Sequence, residues 1–177
     1  MANNISDALT SFDAFAELRD GVGINPFKLA CTRTAPASLE EIEACWRNGV
    51  PAELRQLWLT SRNARLFVDT EYGQWGLALL SPKEAAARTL EFRTARSEDA
   101  MPADIVCGEL LGDSDLLILS GNGDGILVVL PLDPRSDWYR PAPTLLSFLA
   151  QYREALGEKY WEFEIPRAGH QGGQHRG

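Results

Sequence analysis

Between Ser38 and Asn63, in SLEEIEACWRNGVPAELRQLWLTSRN, the apolar positions fall twice into the spacing of one helix face. Leu39, Ile42, Cys45 and Trp46 make the first stripe, Leu54, Leu57 and Trp58 the second, and Gly49 is the stop between them. Ser38 followed by Glu41 predicts a capping box, in which each side chain satisfies a backbone donor that the first helical turn leaves free. Pro51 suits the first position of the second helix, where a missing N–H costs nothing. On periodicity alone this is a pair of helices covering a core, which speaks of fold and not of function.

Three further segments carry a helical face. Ile5, Ala8, Leu9, Phe12 and Phe15 predict an N-terminal helix packed on the main body. Ser81, Pro82 and Glu84 open a capped helix running to about Arg93, and Pro143 opens one bearing Leu145, Phe148, Leu149, Tyr152 and Leu156 that Gly157 ends. Strand signals lie between them: Arg65 to Val68 with Trp75 to Leu80 as a hairpin, then Ile105 to Leu111, Asp115 to Ser120 and Ile126 to Leu132 as a meander. Gly121-Asn122-Gly123-Asp124-Gly125 supplies the positive-φ residues for a turn within that meander. Trp138-Tyr139 begins a further strand, Trp161 to Ile165 adds an edge strand, and Asp20 to Ala37 reads as a connector with a short extended piece at Phe27 to Cys31. The expected class is α+β, one domain with a central, mostly antiparallel sheet of about 5–6 strands flanked by about 4–5 helices. Residues 1–35 read as a helical extension and connector, 36–165 as the domain, and 166–177 as a flexible tail with nothing to bury.

Charge adds a direction to this outline. The 177 residues carry a formal charge of −8, and the segment Ser97 to Pro134 holds Glu98, Asp99, Asp104, Glu109, Asp113, Asp115, Asp124 and Asp133 without one Lys or Arg. Such a field repels nucleic acid and anionic membrane and speeds encounter with a basic partner, but it fits equally a solvated surface that keeps the protein soluble. Composition alone does not separate the two. No apolar run approaches the roughly 20 residues needed to cross a bilayer, and MANNISDALTSF lacks a basic region and an apolar signal core, so the expected location is cytoplasmic. Cys31, Cys45 and Cys107, odd in number and widely spaced, indicate free thiols and not a disulfide framework or a metal pair.

Candidate chemistry is sparse. Both histidines, His170 and His175, stand in the tail, so Met1 to Gly169 has no imidazole for a Ser-His, Cys-His or HExxH site on a rigid scaffold. The glycines at 121 to 125 precede no helix and no Lys, and Asp124 among them repels phosphate. Asp113-Ser114-Asp115 and Asn122-Gly123-Asp124 do not have EF-hand spacing. Glu109, Asp113 and Asp115 could face one groove as paired carboxylates, but any acidic protein offers such pairs. No catalytic residue, metal ligand or cofactor is assigned.

In order, these segments resemble the SUKH superfamily, the Smi/Knr-like proteins, and in particular its bacterial immunity-protein branch. The resemblance is carried by Ser38 to Glu43 as the opening helix, Val50 to Trp58 as the second, Trp75 to Leu80 running into Ser81-Pro82-Lys83-Glu84-Ala85, the strands around Gly112-Asp113-Ser114-Asp115, Leu132-Asp133, and Leu146-Ser147-Phe148-Leu149 as the closing helix. It covers Pro36 to Tyr160. Family members often have an aromatic residue where Leu54 stands and Asn-Gly where this chain has Asn63-Ala64. The resemblance implies a cytoplasmic protein that is not an enzyme and binds a cognate toxin protein, with a basic nuclease as one candidate; a regulatory or scaffold module without a toxin is the alternative. Glu98, Asp99, Asp104, Glu109, Asp113, Asp115 and Asp124 would then meet the toxin, with Tyr72 and Trp75 as apolar anchors and Trp58, Trp138 and Tyr139 as further aromatic candidates.

Overall fold

The computed structural model describes residues 1–23 and 25–163. Among them lie the helices α1 (Ile5–Thr10), α2 (Leu39–Cys45), α3 (Ala52–Thr60), α4 (Pro82–Ala95) and α5 (Leu145–Glu154). One eight-stranded antiparallel sheet runs β1 (Arg19–Asp20), β2 (Lys28–Arg33), β3 (Ala64–Asp69), β4 (Leu77–Leu79), β5 (Ile105–Leu110), β6 (Asp115–Leu119), β7 (Ile126–Val129), β8 (Tyr139–Ala142), each strand beside its predecessor in the chain. The α+β class agrees with the sequence pattern, whereas the sheet is larger than the expected five or six strands. The surplus comes from the first 35 residues. The extended piece expected at Phe27 to Cys31 is β2, paired with β3 from Leu29 to Arg33 across one irregularity, and Arg19–Asp20 adds a short edge to it.

Register explains which face holds the core. Side chains alternate across a strand, so paired residues share a face. Ala64, Leu66, Leu77, Leu79, Leu117, Leu119, Ile126 and Val128 line one face and are all buried. The apolar stripes of α1 (Ile5, Ala8, Leu9), α3 (Leu54, Leu57, Trp58) and α5 (Leu145, Phe148, Leu149, Tyr152) are buried in the same core. On the opposite face the row Arg65, Ala78, Glu109, Leu116, Val129 runs from exposed to buried, and α4 covers only part of that face through Thr89 and Phe92.

The β2–β3 ladder shifts register between Ala30 and Thr32, and Phe67 stands at the irregularity with φ of 50°. An extra residue in one strand takes a backbone donor out of the ladder. Here the Phe67 N–H donates to Cys31 Sγ at 3.1 Å. The same turn of backbone aims the Phe67 ring at Phe12, Phe15 and Tyr152, with centroids 5.8, 5.0 and 5.8 Å away. The N-terminal segment and α5 are thereby joined through β3.

Helix ends account for several sequence signals and correct others. Ser81 and Glu84 form the full reciprocal box at the start of α4. At α2 only half of the expected box exists: Ser38 accepts from the Glu41 N–H, but the Glu41 carboxylate turns to Arg62 at 2.9 Å. A guanidinium offers a stronger hydrogen bond than a backbone amide. Pro51 is the cap of α3 and not its first residue. The start of α5 is satisfied from afar, with Glu53 accepting from the Leu145 and Leu146 N–H groups at 3.0 and 3.1 Å. At the expected edge strand Trp161 to Ile165, a 3-10 turn occupies Tyr160–Glu162; Glu164, Ile165 and the tail 166–177 with both histidines lie outside the described residues.

Candidate functional site

The acids from Glu98 to Asp124 are not an open negative field. Among the described residues, five cations from outside the segment reach into it: Arg88, Arg96, Arg135, Arg140 and Lys159. Asp104 is 0 % exposed, accepts from the Met101 N–H at 2.8 Å and pairs with Arg135 at 2.5 Å. Asp99 pairs with Arg96 at 2.8 Å and accepts from the Arg135 N–H at 3.1 Å; those bonds hold its carboxyl below the usual range. Asp124 lies between Arg140 at 2.9 Å and Arg135 at 3.6 Å, and the Arg140 bond likewise lowers its pKa. Glu109 is 2.6 Å from Arg88, which α4 holds over β5 and which also meets Glu91.

Asp113 and Asp115 share Lys159, whose ammonium is in contact with Asp113 and 3.7 Å from Asp115. Lys159 is 5 % exposed and lies over the Trp75 ring, 5.7 Å from its centroid. Burial pushes the Asp115 carboxyl up, and Lys159 pulls it back. Asp113 keeps 58 % of its side chain in solvent. Glu98 is exposed, with no ion pair among the described residues. Among the described residues no group of three His, Cys, Asp or Glu is placed to hold a metal ion. The Glu109, Asp113 and Asp115 carboxylates are engaged by two separate cations.

The aromatic candidates divide by burial. Trp58 and Trp138 belong to the core; Trp58 Nε1 donates to the Leu80 carbonyl at 2.8 Å. Trp75 is half-buried and its Nε1 donates to the Gly157 carbonyl at 3.0 Å. Tyr139 is half-buried. Tyr72 is 65 % exposed, at the tip of the β3–β4 hairpin, where Asp69 fixes the turn by accepting from the Glu71, Tyr72 and Gln74 N–H groups. Tyr72 and the nearby half-buried Trp75 therefore share one hairpin.

Three features escape the linear reading. Glu40 and Glu43 are exposed on α2 with no ion pair among the described residues; their spacing of three was the available signal. A cleft of about 590 Å³ opens between the α2–α3 turn and the loop ahead of β5. A smaller groove of about 330 Å³ lies under α4, between Phe92, Ala95, Leu116, Val129 and Pro131. No helix among the described residues is long and apolar enough to cross a membrane. No protein-family model matches the chain, and no curated protein matches its sequence.

Proposed function

We propose that the chain is an immunity-type binding protein, a SUKH-like domain that acts in the cytoplasm and neutralises a cognate secreted bacterial toxin by direct contact. The observation that carries this reading is the order of elements: a helix pair, a hairpin, a helix opened by a capping box, a three-stranded meander and a closing helix, α2, α3, β3–β4, α4, β5–β7, α5. That is the arrangement on which the resemblance to the superfamily rests.

Toxins that cut nucleic acid hold phosphate with cations, so an acidic surface is a physically suitable competitor. On this surface the work of steering falls to Glu98, Asp113, Glu40 and Glu43, which face solvent. Asp104 and Asp115 are buried and hold the fold. Tyr72 at the hairpin tip supplies an apolar anchor of the kind that dominates binding energy.

The test is co-purification of the chain with the product of its neighbouring gene, followed by growth rescue of cells expressing that product. Capture with rescue supports the reading. Capture without rescue favours the regulatory or scaffold module, and no capture removes the toxin from the account. In a captured pair, neutralising Glu98 and Asp113 with Gln and Asn should slow association and flatten its salt dependence.

A further inference from the structure

We propose that the cleft between the α2–α3 turn and the loop ahead of β5 is a docking site for an acidic, apolar-flanked segment of a partner protein. It holds whether or not that partner is a toxin. Three observations carry it.

The first is size and floor. At about 590 Å³ the cleft has room for a few side chains, and its apolar floor comes from Trp46, Val50, Pro102 and Ala103. The Trp46 ring is fixed there by stacking on Trp58, with centroids 5.9 Å apart, and by donating to the Pro82 carbonyl at 3.0 Å. Binding therefore does not have to order it.

The second is charge. In a chain of net charge −8, the charged residues lining this cleft among the described residues are Arg47 and Arg93, with no Asp or Glu beside them. Arg93 is held by donating to the Pro102 and Asp104 carbonyls at 2.5 and 3.0 Å, which orients the guanidinium and leaves its charge in place. The Asp104 carboxylate meanwhile is engaged by Arg135. Arg47 is exposed on the turn, without an ion pair among the described residues. A cationic rim on an apolar floor complements a carboxylate beside an apolar side chain.

The third is a built wall. A methyl group on Gly121 would stand 2.0 Å from the Ala103 Cβ and 2.5 Å from its carbonyl carbon. Glycine at this position lets the loop 102–103 close against the β6–β7 turn and fixes the far side of the cleft.

The protein carries its own reporter. Cys45 lines the cleft and is partly exposed, whereas Cys31 and Cys107 are buried with thiols pushed by burial up to about 11 and about 12. Iodoacetamide at neutral pH should therefore modify Cys45 first, as mass spectrometry of the intact chain and its peptides will report. The probe is the blocked peptide Glu-Leu-Glu-Phe-Glu, with Lys-Leu-Lys-Phe-Lys and free glutamate as controls. At ten times its Kd the acidic peptide should slow Cys45 alkylation about tenfold by mass action, Arg47→Glu should abolish the protection, and Arg47→Lys should keep most of it. Circular dichroism of the variants, altered only at an exposed turn residue, establishes that they are folded. Absence of protection, equal protection by the Lys peptide, or protection that survives Arg47→Glu overturns the proposal. Protection by free glutamate as strong as by the peptide overturns the assignment to a protein segment.

Discussion

Arg135 reaches back 31 residues to bind both carboxylate oxygens of Asp104, at 2.5 and 3.2 Å. The same guanidinium donates to the Asp99 carbonyl at 3.0 Å and lies over the Trp138 ring, 5.3 Å from its centroid. One side chain from the β7–β8 connection thus closes the loop ahead of β5. It also neutralises a carboxylate that has no access to water.

Removing that cation leaves a buried charge alone, which costs far more than the pair contributes. Arg135→Met is expected to lower stability by about 3–5 kcal/mol. Adding Asp104→Asn to it should recover part of the loss, because a neutral amide can keep the hydrogen bond geometry without the charge. Urea denaturation of the three chains measures both effects. A double variant as unstable as the single one would mean that the loss comes from packing on Trp138.

The Cys31 thiol sulfur accepts from a backbone donor, the Phe67 N–H. Cys31→Ala should leave the Phe67 N–H unsatisfied at a buried bulge, at a cost of about 1–3 kcal/mol. Amide hydrogen exchange is the sharper readout: the Phe67 amide should exchange faster in Cys31→Ala, and Cys31→Ser should restore protection. Unchanged exchange in the alanine variant would assign the Phe67 conformation to its ring contacts alone.

Buried thiols give the protein an alkaline limit. Cys31 and Cys107 have folded-state values of about 11 and about 12 against an ordinary thiol at 9.0, because burial disfavours the thiolate. Their contribution is complete below pH 9 and is lost as pH rises toward the folded values, since the unfolded chain ionises first and binds fewer protons. Each thiol should remove about 1.4 kcal/mol per pH unit in that window. Stability measured by urea between pH 8 and pH 10.5 should fall, and Cys107→Ala should make the fall shallower by about half.

Lys159 provides the opposite case. With Asp115 already pushed up by burial, loss of Lys159 removes the influence that pulls it back down. A raised carboxyl contributes stability below its unfolded pKa and loses it as pH rises. Lys159→Met should therefore be most destabilised near neutrality, with the gap to wild type narrowing as pH falls through the raised Asp115 range toward the ordinary carboxyl value of 3.8. A gap that stays constant from pH 7 to pH 3 would show that only the lysine's packing against Trp75 was lost.

Local signals were legible where the physics is local. The α3 stripe, the α5 stripe from Leu145 to Tyr152, the full capping box at Ser81 and the turn at residues 121–125 depend on neighbours within a few positions, and these are present, whereas Leu156 lies past the helix end at Glu154 with φ of 52° and is exposed. What escaped depends on distant partners. Glu41 finds Arg62 and abandons its own helix start; Glu53 caps a helix that begins 92 residues later; β2 becomes a strand only because β3 offers it a ladder. The acid-only segment had the least legible charge environment. Its composition was correctly read, but the cations that neutralise it lie before and after it in the chain, at Arg88, Arg96, Arg135, Arg140 and Lys159. The cleft at Arg47 and Arg93 was equally hidden, since its walls come from segments more than 40 residues apart that no periodicity connects.

A sheet whose eight strands lie in chain order can assemble one hairpin at a time as it leaves the ribosome, with each new strand finding its partner already in place. The helices do not share this convenience. The α1 helix packs on α5, and Arg153 of α5 donates to the Ser11 carbonyl, 142 residues back. The α3 helix covers part of the α1 stripe early, but the part that packs on α5 stays open until α5 emerges. Truncation ahead of Leu145 would leave all eight strands in place, with α1 and α3 on the core face and a gap where Leu145, Phe148, Leu149 and Tyr152 pack.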